Sequence, residues 1–301
     1  MVETPILYIT FARPEYACQS FAAIKKAKPK KLYFYSNKAR TEKADEVQRN
    51  EEVRSYINQI DWVCDVKTWF RDEYVDVFTS LWGAIDWVFD NEEKAIIIEE
   101  DVVASLAFFD YVEKLIDKYK DNEKVWIISG NNVAPQYNPK ELSFFPTRWA
   151  NIYGWASWQS RWKTLDRKMS YWNSFKNSKE YREYYEDWFS SWFFKIKGNN
   201  LYKKIQGDYN PWDMIFNNNM RKNYGYCIIP HSNLCQDIGV IGANHENARK
   251  NPLAVVTYNQ TEFIIENEPN EITPTDYDLI YFYKHFLKNI IYRRLIKIFK
   301  R

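Results

Sequence analysis

Over the first hundred and thirty residues the chain alternates two apolar patterns. Five short runs, "PILYITF" (5–11), "KLYFYS" (31–36), "DWVCDVKTWF" (61–70), "KAIIIEE" (94–100) and "KVWIISG" (124–130), read as strands. Unbroken apolar runs of this length suit strands buried on both faces. Between them 14–27, a charged segment over 44–59, 76–93 and 106–120 read as helices, and over 76–93 the apolar residues recur at three and four. The first of these opens at Pro14, a residue at home in a first helical turn. In the last, Phe108, Phe109, Val112, Leu115, Ile116 and Tyr119 share one face. Strand and helix in alternation predict an α/β protein, with a mostly parallel sheet flanked by helices on both faces.

From 131 to about 197 the text turns rich in Trp, Tyr, Ser and Asn, and no strand is predicted there. A helix returns over 210–223, "NPWDMIFNNNMRKN", and a strand over 224–230, "YGYCIIP". Asn210 and Pro211 read as its cap and first helical position, which puts Asp213 in the first turn. Helix dipole and free N–H groups there favour an ionised carboxylate. An acidic stretch, "TEFIIENEPNEITPTDYD", precedes a basic terminal helix over 284–301. This divides the chain into a domain over 1–250, with halves 1–130 and 131–250, and an extension over 251–301.

The 46% apolar and 27% charged fractions are ordinary for a soluble globular protein. The aromatic content is not: thirteen Trp and twenty-three Tyr suit either core packing or surfaces that stack on sugars. Four cysteines without a CxxC pair predict buried free thiols in a reducing compartment. "MVETPILYITF" has no basic lead-in and no long apolar run, so no signal peptide is expected, and no stretch is apolar enough to span a membrane. A cytoplasmic location follows as the expectation. Of the 42 Lys and Arg, seven fall in 284–301 with no acid, leaving 35 against 40 acidic residues elsewhere. That tail suggests either peripheral contact with an anionic membrane on the inner face or a helix docked on the body, because Arg294 falls among Leu287, Ile290 and Ile298. A nucleic-acid partner is not expected.

The fourth run delivers the chain into three consecutive acids, Glu99, Glu100 and Asp101. Ligands of open parallel sheets bind at such carboxyl ends. Carboxylate oxygens there suit Mg²⁺ or Mn²⁺ bridging to a diphosphate, or else they simply favour the start of the next helix. The chain has eight glycines and neither G-x-G-x-x-G nor G-x-x-x-x-G-K-[ST], so dinucleotide-binding and P-loop enzymes are not supported.

"IIIEEDVVASLAFFDYVEKLI" resembles the acidic segment of N-acetylglucosaminyltransferase I and of a bacterial group of GT-A-fold nucleotide-diphospho-sugar transferases, some of whose members carry the label hemolytic-protein-like. Four further segments are similar to that group in order: "TFARPEYACQSFAAIKKAKPKKLYF", "FRDEYVDVFTSLWGAIDWVFDNEE", "NIYGWASWQSRW" and "PWDMIFNNNMRKNYGYCIIPHSNLCQDIGVIGANH". The resemblance covers about residues 5 to 247. It implies a GT-A-type sheet and a metal-dependent, inverting glycosyltransferase. The donor would be a nucleotide-diphosphate sugar, UDP-sugars favoured, and the acceptor a glycan or glycolipid. Asp101 and His245 would hold the metal, and Asp213, in the Trp-Asp motif, would be the general base. Arg13, Ser36, Arg71, Glu99, Glu100 and Trp155 would meet the nucleotide sugar. The chain departs from the group in three places: Glu100 stands for an Asp, Ser36-Asn37-Lys38-Ala39-Arg40 for an Asp-Gly-Pro-Arg-like turn, and Tyr74-Val75-Asp76 for Asn-Leu-Gly. The altered Glu100 and the Ser36-Asn37 turn favour the rival expectation, a carbohydrate- or nucleotide-sugar-binding protein without turnover, while the intact Asp213 argues against it.

Overall fold

The computed structural model describes residues 1–139, 141–185, 187–207, 209–239 and 261–288. Each predicted apolar run of the first half becomes a strand. These are β1 (Ile6–Thr10), β2 (Lys31–Ser36), β3 (Asp65–Phe70), β4 (Lys94–Glu99) and, after a short β5 (Val102–Ala104), β6 (Val125–Ser129). The intervening helices are α1 (Pro14–Ala27), α2 (Ala44–Ser55), α3 (Val77–Asn91) and α4 (Leu106–Ile116). β3 starts at Asp65 rather than at 61, because the preceding chain is pinned by the Trp62 indole donating to the Pro29 carbonyl at 2.9 Å. The first turns of α3 and α4 are capped by Asp76 and Ser105, whose side chains accept backbone N–H groups of the first turn.

Eight strands make one sheet in the order β3-β2-β1-β4-β8-β6-β9-β7, in which β8 is Trp155–Trp158, β9 is Tyr226–Pro230 and β7 is Phe144–Thr147. β3, β2, β1 and β4 run parallel, as do β6 and β9; β8 and β7 run antiparallel to their neighbours. Because β8 lies between β4 and β6, residues from both sides of position 130 share the sheet. A second ribbon pairs β10 (Cys235–Asp237) with β5. Alternate side chains of the central strands go to opposite faces: Ile6, Tyr8, Ile96 and Ile98 pack with α1 and α4, whereas Leu7, Ile9, Ala95 and Ile97 pack with α3. Both faces are covered, as the unbroken runs require.

The middle of the chain is more regular than its sequence suggests. Short helices α5 (Gln159–Trp162), α6 (Trp172–Phe175) and α7 (Lys179–Tyr184) lead to an 18-residue helix, α8 (Trp188–Ile205). α8 escapes pattern reading because its apolar residues lie all round it: Phe194, Leu201 and Ile205 are buried, while Trp188, Trp192 and Ile196 are exposed. β7 and β8 are only four residues each, too short for a period to show. α9 (Trp212–Lys222) follows, with Pro211 rather than Asn210 at its cap, and α10 (Tyr277–Ile280) leads into a π-helical turn, Tyr281–Leu287. All four cysteines are free; Cys227 and Cys235 are buried, but Cys18 is exposed on the outer side of α1. His245, predicted as a metal ligand, and residues 289–301 of the tail lie outside the described residues.

Candidate functional site

The three acids at the end of β4 are met by a cation from far along the chain. β1 and β4 are parallel neighbours with Ile9 opposite Glu99, so the loop after β1 passes beside Glu100 and Asp101. One Glu100 oxygen accepts the Phe11 N–H at 2.8 Å, and the other accepts Arg13 Nε at 2.6 Å. Arg13 Nη2 also reaches Asp101 at 2.9 Å. Burial opposes the charge on Arg13, but Glu100 and Asp101 outweigh it and raise its pKa. Glu100, predicted to meet the nucleotide sugar, lines the cleft described below but is 2% exposed and anchors the loop after β1. Burial raises its pKa, against the pull of Arg13.

In front of this corner opens a cleft of about 550 Å³, lined among others by Thr10, Arg13, Asn37, Arg49, Tyr74 and Glu99. That volume falls in the range of about 300 to 1,000 Å³ found for small-molecule sites. Arg49, from α2, was not singled out by sequence; it is held by Glu15 at 2.6 Å and by the Ala12 carbonyl at 3.0 Å. Two predicted contacts lie elsewhere. Ser36 is wholly buried, its hydroxyl accepting from Arg54 at 3.1 Å and Asn50 at 3.3 Å, and its neighbour Asn37 faces the cleft instead. Arg71 is off the cleft, bonded to the Tyr35 hydroxyl at 2.5 Å, with its guanidinium 4.6 Å from the Trp69 ring centre.

Glu99 lines the cleft, and three further acids act on it. Burial, then Asp101, push the Glu99 carboxyl up to about 8 against the pull of Arg13, with Asp237 and Asp213 adding to the rise. The same four carboxylates act on Tyr153, whose hydroxyl is pushed up to about 12, chiefly by burial. Asp213, 112 positions beyond Asp101 in sequence, thus joins the β4 corner electrostatically. Asp237 arrives on β10, whose continuation wraps Asp101: the Ile238 N–H donates to the Asp101 carbonyl at 2.8 Å, and the Gly239 N–H to Asp237 Oδ1 at 2.8 Å. Gly239 is required at that point because a Cβ would strike the Asp101 carboxylate.

Asp213 sits in the first turn of α9 as predicted, but its ionisation differs from the expectation. Burial raises its pKa, and the N–H groups of Met214 and Asp213 only moderate the rise. Trp155 is also corrected: it is 1% exposed and stacks on Trp212 at 5.4 Å, so it is core. Trp158 and Trp162 are core as well, and of the four clustered rings it is Tyr153, 40% exposed, that offers a face to a ligand.

Carboxylate oxygens are the donors a hard divalent cation takes, and Glu99 and Asp101 supply them at the end of β4. Among the described residues no three such groups come together closely enough to hold an ion by themselves. Asp101, with Glu99 or Asp237, would be the residues to hold such a cation.

No family model and no curated protein matches the chain. Among solved structures, the glycosyltransferase GlyE of Streptococcus pneumoniae is similar at 10% identity over 75% of this chain and 45% of its own, with a TM-score of 0.35. This chain thus spans less than half of GlyE's length. Mouse xyloside xylosyltransferase 1 is similar at 13% identity over 71% of this chain and 80% of its own, with a TM-score of 0.33. UDP-glucose pyrophosphorylase complexed with UDP-glucose is similar at 9% identity over 76% and 90%, with a TM-score of 0.35. Likenesses this distant do not bear on activity.

Proposed function

We propose that the protein moves a sugar from a nucleotide-diphosphate donor, UDP-sugars favoured, to a hydroxyl of a glycan or glycolipid. The observation that carries this reading is a cleft lined by Glu99, Arg13 and Arg49, with Asp101 paired to Arg13 and with Asp237 and Asp213 near enough to raise the Glu99 pKa. The guanidiniums suit the donor's phosphates, and the exposed face of Tyr153 suits a sugar ring. Asp213 takes the proton of the acceptor hydroxyl as its oxygen bonds to the anomeric carbon; the bond from that carbon to the phosphate oxygen breaks, and the nucleoside diphosphate leaves with the electron pair. Attack opposite the leaving group inverts the anomeric centre. A carboxyl whose pKa is raised toward working pH is better matched to proton transfer than an ordinary one. Mg²⁺ or Mn²⁺ bound at Asp101 would supply charge neutralisation of the leaving diphosphate.

Asp213→Asn is the direct test. Loss of a general base costs about 10² to 10⁴ in rate, so kcat should fall at least about a hundredfold with donor KM little changed. Near-normal turnover by this variant would place the base elsewhere, with Asp237 next in line. One observation favours the rival reading, a nucleotide-sugar-binding protein without turnover: Arg13 already occupies the Asp101 carboxylate. That reading predicts stabilisation by a donor sugar with no transfer to any acceptor and no hydrolysis.

A further inference from the structure

Trp188, Trp192 and Ile196 stand at four-residue spacing on α8 and are 78%, 51% and 41% exposed. Residues so spaced form one stripe along a helix. An indole left 78% exposed contributes nothing to the core, and three large apolar groups in a row mark a contact surface. Beside the stripe runs a groove of about 450 Å³ between α6, α7 and α8, lined by Lys176, Arg182, Lys195, Trp188 and Trp192. Its cations lack carboxylate partners: Lys176 donates to the amide oxygens of Asn173 and Asn199, and Lys195 to that of Asn177. Arg182 makes no ion pair among the described residues. Asp187, the acid in the groove, is turned inward, capping α8 through the Phe189 and Ser190 N–H groups and accepting the Tyr283 hydroxyl at 2.6 Å.

The end of the described chain meets the start of α8, where the Tyr283 hydroxyl donates to Asp187 at the groove's edge. Phe282 packs on Phe193 and Phe194 with ring centres 5.5 Å away, so the turn after α10 docks against α8. Lys284 and Lys288 then emerge exposed. Indoles at headgroup depth with cations around them are the chemistry of a surface that lies on a bilayer. No described helix is long and apolar enough to cross one.

We propose that the Trp188–Trp192–Ile196 stripe, its cationic groove and the exposed Lys284 and Lys288 form one docking surface for an anionic phospholipid bilayer. This goes beyond the transfer reaction and does not depend on it. The test uses the full chain with phosphatidylcholine vesicles, with and without phosphatidylserine. The wild type should sediment with the phosphatidylserine vesicles in low salt, with a blue shift of its Trp emission. Trp188→Ser/Trp192→Ser should lower the bound fraction at least about tenfold, in line with the loss of buried apolar area, with circular dichroism unchanged. Lys176→Glu/Lys195→Glu should do the same without touching the indoles, which keeps the test valid if the first pair misfolds. The proposal is overturned if the Trp pair binds like wild type while removal of 289–301 alone releases the protein. It fails equally if phosphatidylcholine alone binds as well, or if the wild type is a dimer that the Trp pair dissociates, since a second copy would then cover the stripe.

Discussion

Replacing Arg13 by Met would leave Glu100, whose side chain is 3% exposed, with only the Phe11 N–H to meet its charge. Breaking a buried pair on one side costs about 3 to 5 kcal/mol, and the partial exposure of Arg13 puts this case at the lower end. The loss should depend on pH. Burial already raises the Glu100 pKa, and removal of Arg13 raises it further, so the folded variant holds a proton that it must give up as pH rises. Urea denaturation should therefore show a larger deficit at pH 8 than at pH 5.5; an equal deficit at both would mean that Glu100 is not the group left unpaired. Asp213 carries a second pH signature. A base acts deprotonated, and burial places its pKa above the ordinary Asp range near 4, so activity should fall with decreasing pH at a point above that range. The acid limb of the kcat/KM profile should report it, and Asp213→Asn should lack that limb.

At the scale of elements, Gly198 in the interior of α8 tests whether propensity or packing governs that helix. Gly to Ala in an exposed helix interior gains about 1 kcal/mol. Here a Cβ would run into the Trp172 ring, which is buried. Overpacking a core costs about 1 to 3 kcal/mol, so Gly198→Ala should be net destabilising in thermal unfolding. A stabilised variant would show that α6 and α8 separate easily. The same pairing explains why the sequence of α8 shows no helical period: its buried face is set by Trp172 and by the chain around Tyr277–Leu287, not by a repeating apolar stripe of its own. α1, α3 and α4, in contrast, carry their own stripes and appear where the periodicity puts them.

For the whole molecule, the cleft and the acid cluster predict that a nucleotide-diphosphate sugar stabilises the fold. At a ligand concentration a hundred times Kd the gain is about 2.7 kcal/mol, enough to raise Tm by several degrees in a chain of this size. The rise should be larger in Mn²⁺ than in a chelator, and Asp101→Ala should remove the difference. Equal stabilisation in both solutions would show that Arg13 and Arg49 hold the diphosphate without a metal ion.

Five of the strands and the helices between them were determined by sequence alone, because local periodicity and capping depend on residues a few positions apart. The acids at the end of β4 and Asp213 in a first turn were legible for the same reason. The tertiary structure decided what those residues meet. Glu100 and Asp101 find Arg13 across two adjacent strands, Ser36 and Trp155 turn inward, and Asp213 reaches the Glu99 corner from over a hundred positions away. Burial also reversed the expected direction of the Asp213 pKa. Desolvation and pairing between distant segments depend on which elements pack together, and no short window of sequence contains that.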